Sequence, residues 1–211
     1  MKITKLGHCC LLIEESGVKI ITDPGAWTSA QNDLKDIHAV LITHEHQDHF
    51  HIDSVKAIIA NNPEVKIYTN AAVGKLLTES AVPFELLSNG MVTDFRGIAL
   101  EGHGEKHATI YGDYGQVENT GFLIGNKLFH PGDSFTKPNK PVEVLALPVS
   151  GPWMKISDAI DYAKEVTPKK WFPVHDGYLK IYGFIHNVVK LNLDPQGIEM
   201  IDSEDIKTFE V

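Results

Sequence analysis

The sequence predicts an α/β protein of four layers, with two sheets packed face to face and helices covering the outside. Three observations carry this. Short runs such as "HAVLIT", "TGFLIG" and "VEVLALP" are apolar throughout, as strands buried on both faces are. Segments of helical period stand between them, and strand clusters with interleaved helices recur in both halves of the chain.

Taken in order, "KITKLGHCCLLIE" and "VKIITDP" read as strands joined by a turn around Ser16–Gly17. "HAVLITH" is a buried strand. "DHFHIDSVKAIIANNP" follows as a helix with Ile52, Val55, Ile58 and Ile59 on one face. "VKIYTN" is a strand and "AAVGKLLTES" a helix. In the second half "RGIALEGH", "TGFLIGNKLFHPGDS" and "VEVLALPVS" read as strands, the middle one a hairpin turning at Gly125–Asn126. "SDAIDYAKEVTP" is a helix capped by Ser157 or Asp158 and stopped before Pro168. "KKWFPVHDG" is a strand, "GFIHNVVKLNL" a helix, and "IEMIDSEDIKTFEV" closes with one or two short strands.

The chain has 211 residues, 43% hydrophobic and 22% charged, which suits a single globular domain over residues 1–211. No apolar run approaches the roughly 18 residues of a membrane span. Lys2, Lys5, Glu14, Glu15 and Lys19 interrupt the first twenty residues, so no secretory core is expected there and the expected compartment is the cytoplasm. Cys9 and Cys10 are adjacent; strand neighbours point to opposite faces, so they are expected as unbridged thiols in a reducing compartment. Neither has zinc-knuckle spacing, so any metal is expected on nitrogen and oxygen. The net charge of -9 and the lack of a basic block argue against nucleic acid as a partner. Bound divalent cations would offset part of that charge, leaving room for a small anionic substrate.

The residues able to do chemistry fall at strand ends. Asp23 ends "KIIT", His44 ends "AVLIT", His103 ends "IALEG", Asp133 follows "KLFHPG" and His175 ends "WFPV". In α/β sheets the carboxyl edge is where ligands bind, so these positions can converge there. "THEHQDH" adds His44 and His46 at i and i+2, about 6–7 Å apart on an extended segment and facing the same way. Asp48 and His49 come where the strand gives way to a helix. That helix N-terminus is expected to keep His49 neutral, as a metal ligand must be.

"THEHQDH" resembles the metal-binding signature of the metallo-β-lactamase fold superfamily, and "ITDP", "HPGDS" and "FPVH" resemble its other ordered motifs. "KLGHCCLLIE" is similar to the opening strand of the UlaG-like branch, which includes ascorbate-6-phosphate lactonase. The resemblance implies an αββα sandwich with two divalent ions, zinc or manganese, iron also suiting the donors. It implies His44, His46 and His103 on one ion, Asp48, His49 and His175 on the other, and Asp133 bridging. Asp23 would orient ligands through hydrogen bonds. "EGHGEKH" also offers His107, and His103 is preferred because it lies nearer the strand end.

The implied activity is a metal-dependent hydrolase, in which a hydroxide shared by two ions attacks a small-molecule ester, lactone or phosphoester. Asp48 would orient that hydroxide or pass its proton on. His8 is expected to be buried beside the site and hydrogen-bonded. Trp153, Tyr178 and His107 are candidates for lining the substrate's path, with packing an equal reading for the two aromatics. His51 is expected in the first turn of the helix, off the site, and His38, His130 and His186 are read as structural or surface. The alternatives are an RNA-processing or other phosphodiesterase of the same superfamily, and a non-catalytic metal-binding module. A small molecule is the expected partner, with no membrane, and a homo-oligomer is compatible with the sequence.

Overall fold

A computed structural model describes residues 1–203 and 208–211. The chain opens with three antiparallel strands, β1 (Lys2–Gly7), β2 (Cys10–Glu15) and β3 (Val18–Thr22). The first expected strand is thus two. Gly7 has φ +150° and His8 takes a left-handed φ of 49°, so the chain reverses at His8–Cys9 instead of running through them.

Strands β4 (Ala39–Ile42), β5 (Lys66–Thr69) and β6 (Glu85–Leu86) then add in parallel beside β3. Helices α1 (Ile52–Asn61) and α2 (Ala71–Glu79) lie between them in sequence. The second sheet begins with β7 (Val92–Phe95), β8 (Ile98–His103), β9 (Gly121–Ile124) and β10 (Leu128–His130), antiparallel in turn, the last two joined at Gly125–Asn126. It continues in parallel with β11 (Val144–Pro148), β12 (Lys170–Val174) and β13 (Glu199–Met200). Helices α3 (Ile156–Val166) and α4 (Gly183–Leu193) belong to this half.

The final strand, β14 (Thr208–Glu210), returns to pair with β1 in the first sheet. Among the described residues both sheets have seven strands, in the orders β14-β1-β2-β3-β4-β5-β6 and β13-β12-β11-β10-β9-β8-β7. The two short closing strands are β13 and β14, and the part of that expectation covering 204–207 lies outside the described residues.

Alternation within single strands builds the layers. Leu41 faces the core between the sheets while Val40 and Ile42 face α1 and α2. Val144 and Ala146 face inward while Leu145 and Leu147 meet α3 and α4, and Phe172 and Trp171 divide the same way. Strands that are apolar throughout therefore serve two cores at once, which gives the expected α-β-β-α stacking. Cys9 and Cys10 obey the rule too: both are buried and unbridged, Cys9 in the central core and Cys10 under the helices.

Two helix starts differ from expectation. Helix α3 begins at Ile156, and Asp158 acts from within the first turn, its Oδ2 accepting the Lys155 N–H at 2.7 Å. Helix α1 begins at Ile52 with His51 as the residue preceding it, so Asp48 and His49 belong to a turn over 43–51 and not to the helix N-terminus.

Phe122 is fully buried between the sheets. Phe122→Ala should lower unfolding free energy by about 3–5 kcal/mol, read from urea denaturation, because the rigid sheets cannot close the void.

Candidate metal centre

The parallel strands β3–β5 and β10–β12 present their carboxyl ends at one edge of each sheet, and the loops leaving those ends carry the chemistry. Asp23 follows β3, His44 follows β4, Asp133 follows β10 and His175 follows β12. Two of these hinge residues hold left-handed backbone, Asp23 at φ 42° and His175 at φ 59°. Such conformations cost of order 1–3 kcal/mol each and persist only where the surroundings enforce them. Here they turn the side chains sharply off the strands.

Asp23 is fully buried and organises the floor of the site. Its Oδ1 accepts the Thr43 backbone N–H at 2.8 Å, and its Oδ2 accepts the Thr43 hydroxyl at 2.9 Å. The same Oδ2 lies 2.7 Å from His49 Nδ1. A carboxylate can only accept, so His49 Nδ1 carries a proton and Nε2 is the nitrogen that faces the centre. The Thr43 hydroxyl has spent its hydrogen on Asp23, so at 3.0 Å it accepts from His44 Nδ1, and His44 Nε2 is left as a lone pair. His107 Nδ1 meets the Ala108 carbonyl at 2.5 Å, which by the same logic frees its Nε2. Asp23, and not a helix end, selects Nδ1 as the nitrogen of His49 that keeps its proton.

Two donor groups result. His44, His46, His107 and Asp133 form one, and His8, Asp48, His49 and His175 form the other; within each the candidate atoms lie within 4.8 Å of one another. Asp133 touches both. Its Oδ1 is 3.1 Å from His49 Nε2, and its Oδ2 is 3.0 Å from His175 Nε2 and 3.3 Å from His107 Nε2. Four of these atoms (His44 Nε2, His49 Nε2, His175 Nε2 and Asp133 Oδ1) are buried without a hydrogen-bond partner. Buried polar atoms left unpaired are costly, and their convergence on one point is what a cation would relieve. Neutral imidazoles and carboxylates are ordinary ligands for divalent transition metals, so the residues fit such ions.

His103 does not join either group. It ends β8, with Nε2 3.6 Å from Glu101 Oε2 and its ring against Phe129. Gly104 then turns the chain at φ +84°, and the next loop brings His107 back to the centre, pinned by Ala108 N–H to the Asp133 carbonyl at 2.8 Å. Proximity to a strand end was thus the wrong criterion, and the placement corrects the preference for His103.

His8 belongs to the second group by distance, but its hydrogens are committed. Its Nδ1 accepts the Gly177 N–H at 3.2 Å, so Nε2–H donates to Asp48 Oδ2 at 3.1 Å. Burial pushes its pKa down to about 4, so it is a neutral donor that fixes Asp48. Burial opposes the charge on Asp48 in turn, yet the contacts with His175 and His8 hold its carboxyl well below the usual range. His51 turns aside to Ser54 Oγ at 3.0 Å. His130 accepts the Gly132 N–H on Nδ1 and donates from Nε2 to the Cys9 carbonyl, while His186 pairs with Asp176.

Several contributors had no sequence signal. Thr43 relays Asp23 to His44. Asn119 accepts the Asp133 N–H at 3.0 Å and donates to the Pro131 carbonyl at 2.9 Å, holding the "PGD" turn. Trp153, taken as a lining or packing residue, also donates its indole N–H to Asp133 Oδ2 at 3.0 Å. Cys9 was set aside as a ligand, yet its sulfur lies within 4.8 Å of donor atoms of His49 and Asp133, directly under the centre. Gly25 has a role legible only in three dimensions: a Cβ there would sit 1.8 Å from the Asp48 carbonyl oxygen, so only glycine lets the Asp23 loop pack on the Asp48–His49 turn.

Residues 2–175 match the family described as beta-lactamase superfamily domain. The chain is 32% identical over 180 residues to the Mycobacterium tuberculosis protein Rv0786c, covering 83% of this chain and 84% of that one. It is 29% identical over 194 residues to the UPF0173 metal-dependent hydrolase of Carboxydothermus hydrogenoformans, with 83% and 84% covered. Among solved structures, a metallo hydrolase from the archaeon Ignicoccus hospitalis shares the fold with a TM-score of 0.77 at 23% identity, covering 100% of this chain and 98% of that one.

Two substitutions separate the histidines. His107→Ala should abolish stoichiometric retention of a divalent metal after dialysis, measured by elemental analysis, while His103→Ala should retain the wild-type content. Asp23→Asn should weaken metal binding by about 10–100-fold in competition with a chelator, because the lost carboxylate no longer fixes the tautomers of His49 and His44.

Proposed function

Because the chain belongs to the beta-lactamase superfamily, we propose that it is a hydrolase of small molecules whose two divalent ions share this cluster, with Asp133 between them. The observation that carries the reading is the convergence of partnerless buried donor atoms from three separate loops. His44, His46 and His107 would hold one ion, and Asp48, His49 and His175 the other. Zinc, manganese and iron all suit these donors. When bound, such ions acidify a water and polarise the oxygen of the group under attack.

The chain's own residues complete the chemistry. Asp48 faces the cavity beside the cluster, and the His8 N–H at its Oδ2 holds it charged and in place. Ionised and fixed, it is fit to accept a hydrogen bond from the attacking water and orient that water toward the substrate. Asp23 and Thr43 hold the imidazoles in their donor tautomers. Trp153 Nε1–H orients Asp133 and withdraws its own polar atom from the cavity.

Esters, lactones and phosphoesters all suit this chemistry, and the name metal-dependent hydrolase carried by the Carboxydothermus relative supports the reaction class. Among the described residues no helix is long and apolar enough to cross a membrane.

Protein stripped with EDTA should lose turnover of a panel containing an ester, a lactone and bis(p-nitrophenyl) phosphate, and regain it with Zn²⁺ or Mn²⁺. Asp133→Ala should lower kcat/KM by at least about 100-fold with the fold retained by circular dichroism. Cleavage of tRNA precursors with no turnover of the small molecules would overturn the reading in favour of RNA processing. Tight metal binding with no hydrolysis of either would favour a non-catalytic module.

A further inference from the structure

The cavity over the cluster, about 520 Å³, is lined by two kinds of residue. Its histidines and carboxylates (His46, Asp48, His107, Asp133, His175) all belong to the donor groups. The rest of its wall is uncharged and mostly apolar: Trp27, Ile110, Pro152, Trp153 and Tyr178, with Gly151. Among the described residues no lysine or arginine lines it, and Lys106 on the neighbouring loop is exposed outside the lining.

The mouth is aromatic and wet. Trp27 is 51% exposed and Tyr178 46% exposed, and the two rings meet edge to face at 5.6 Å. Trp27 rests on His8 at 4.5 Å between ring centroids, and Tyr178 lies 5.9 Å from His175, so both rings are braced against the donor side chains. Deeper in, Trp153 is buried and its N–H is spent on Asp133, so it offers the cavity only an apolar face. Exposed aromatic surface at the rim of a concave site is stabilised when an apolar group covers it. A phosphate or carboxylate remote from the reacting centre would instead be desolvated with no cationic partner, in a chain of net charge -9.

We propose that the substrate is a neutral aryl ester or lactone, its ring packed on the Trp27–Tyr178 pair and against Pro152 and Trp153, with the scissile group toward Asp48 and Asp133. The inference rests on the hydrolase reading and gives its substrate class. The reaction balances without a co-reactant. The oxygen of water bonds to the acyl carbon, the bond from that carbon to the leaving oxygen breaks, and a proton from the water ends on that oxygen.

The test uses the Mn²⁺- or Zn²⁺-loaded protein with 2-naphthyl acetate and its 6-sulfonated analogue, which differ only in a remote anion. The neutral ester should show a kcat/KM at least about tenfold higher. Trp27→Ala and Tyr178→Ala should each raise KM for 2-naphthyl acetate about five- to tenfold, with metal content at the wild-type level. Equal or better turnover of the sulfonated ester, or variants with unchanged KM, would overturn the proposal. Should no ester be hydrolysed, the hydrolase reading fails by itself and binding decides the inference. Quenching of tryptophan emission by 2-naphthol and not by 2-naphthol-6-sulfonate would sustain the neutral aromatic pocket, and the reverse or no quenching would overturn it.

Discussion

The hydrogen-bond cascade from Asp23 through Thr43 to His44, and directly to His49, decides what the rest of the centre can be. An imidazole offers a metal one lone pair only if its other nitrogen keeps the proton. One fully buried carboxylate secures that for two histidines on the same loop. Remove its charge and both rings are free to present N–H to the centre, where a cation would be repelled. Asp23 lines no part of the cavity and is itself a member of neither donor group, yet it fixes the electronic form in which the "THEHQDH" loop meets its ligand.

The fold supplies the convergence and the strain that make this arrangement rigid. Parallel strands put their carboxyl ends side by side, and the facing sheets bring β10 and β12 opposite β3 and β4 across the central core. Left-handed residues at the strand ends bend the chain at once, so the donors sit within a turn of buried sheet instead of on long loops. The backbone packing of Gly25 on the Asp48 carbonyl locks one of those turns to the next. A site assembled this way exposes little to solvent beyond His46 and Asp48, and most of the orientation is done by buried groups.

Much of this was legible in the sequence. Apolar strands, the helix stripe of Ile52, Val55 and Ile58, and the strand-end position of Asp23, His44, Asp133 and His175 all lie where periodicity and sheet logic put them. Illegible features depend on one residue's backbone angle or on contacts between distant segments. The reversal at His8–Cys9 hides inside an apolar run because a left-handed histidine has no compositional mark. His103 and His107 stand four residues apart, and the choice between them follows from the turn at Gly104 and the pairing of Ala108 with Asp133. Asn119 and Trp153 act on Asp133 from 14 and 20 residues away, and Cys9 reaches the centre from the β1–β2 turn. No local spacing rule contains such pairs.

The hydrogen bond from Trp153 to Asp133 gives the molecule a property of its own. An indole is a fluorophore whose emission follows the charge and polarity beside its N–H. This one is buried, with that N–H on the carboxylate that touches both donor groups. A cation that drew electron density from Asp133 would alter the field on the excited ring. The centre is thus wired to an internal optical reporter, and its occupancy can be followed by light without adding a label.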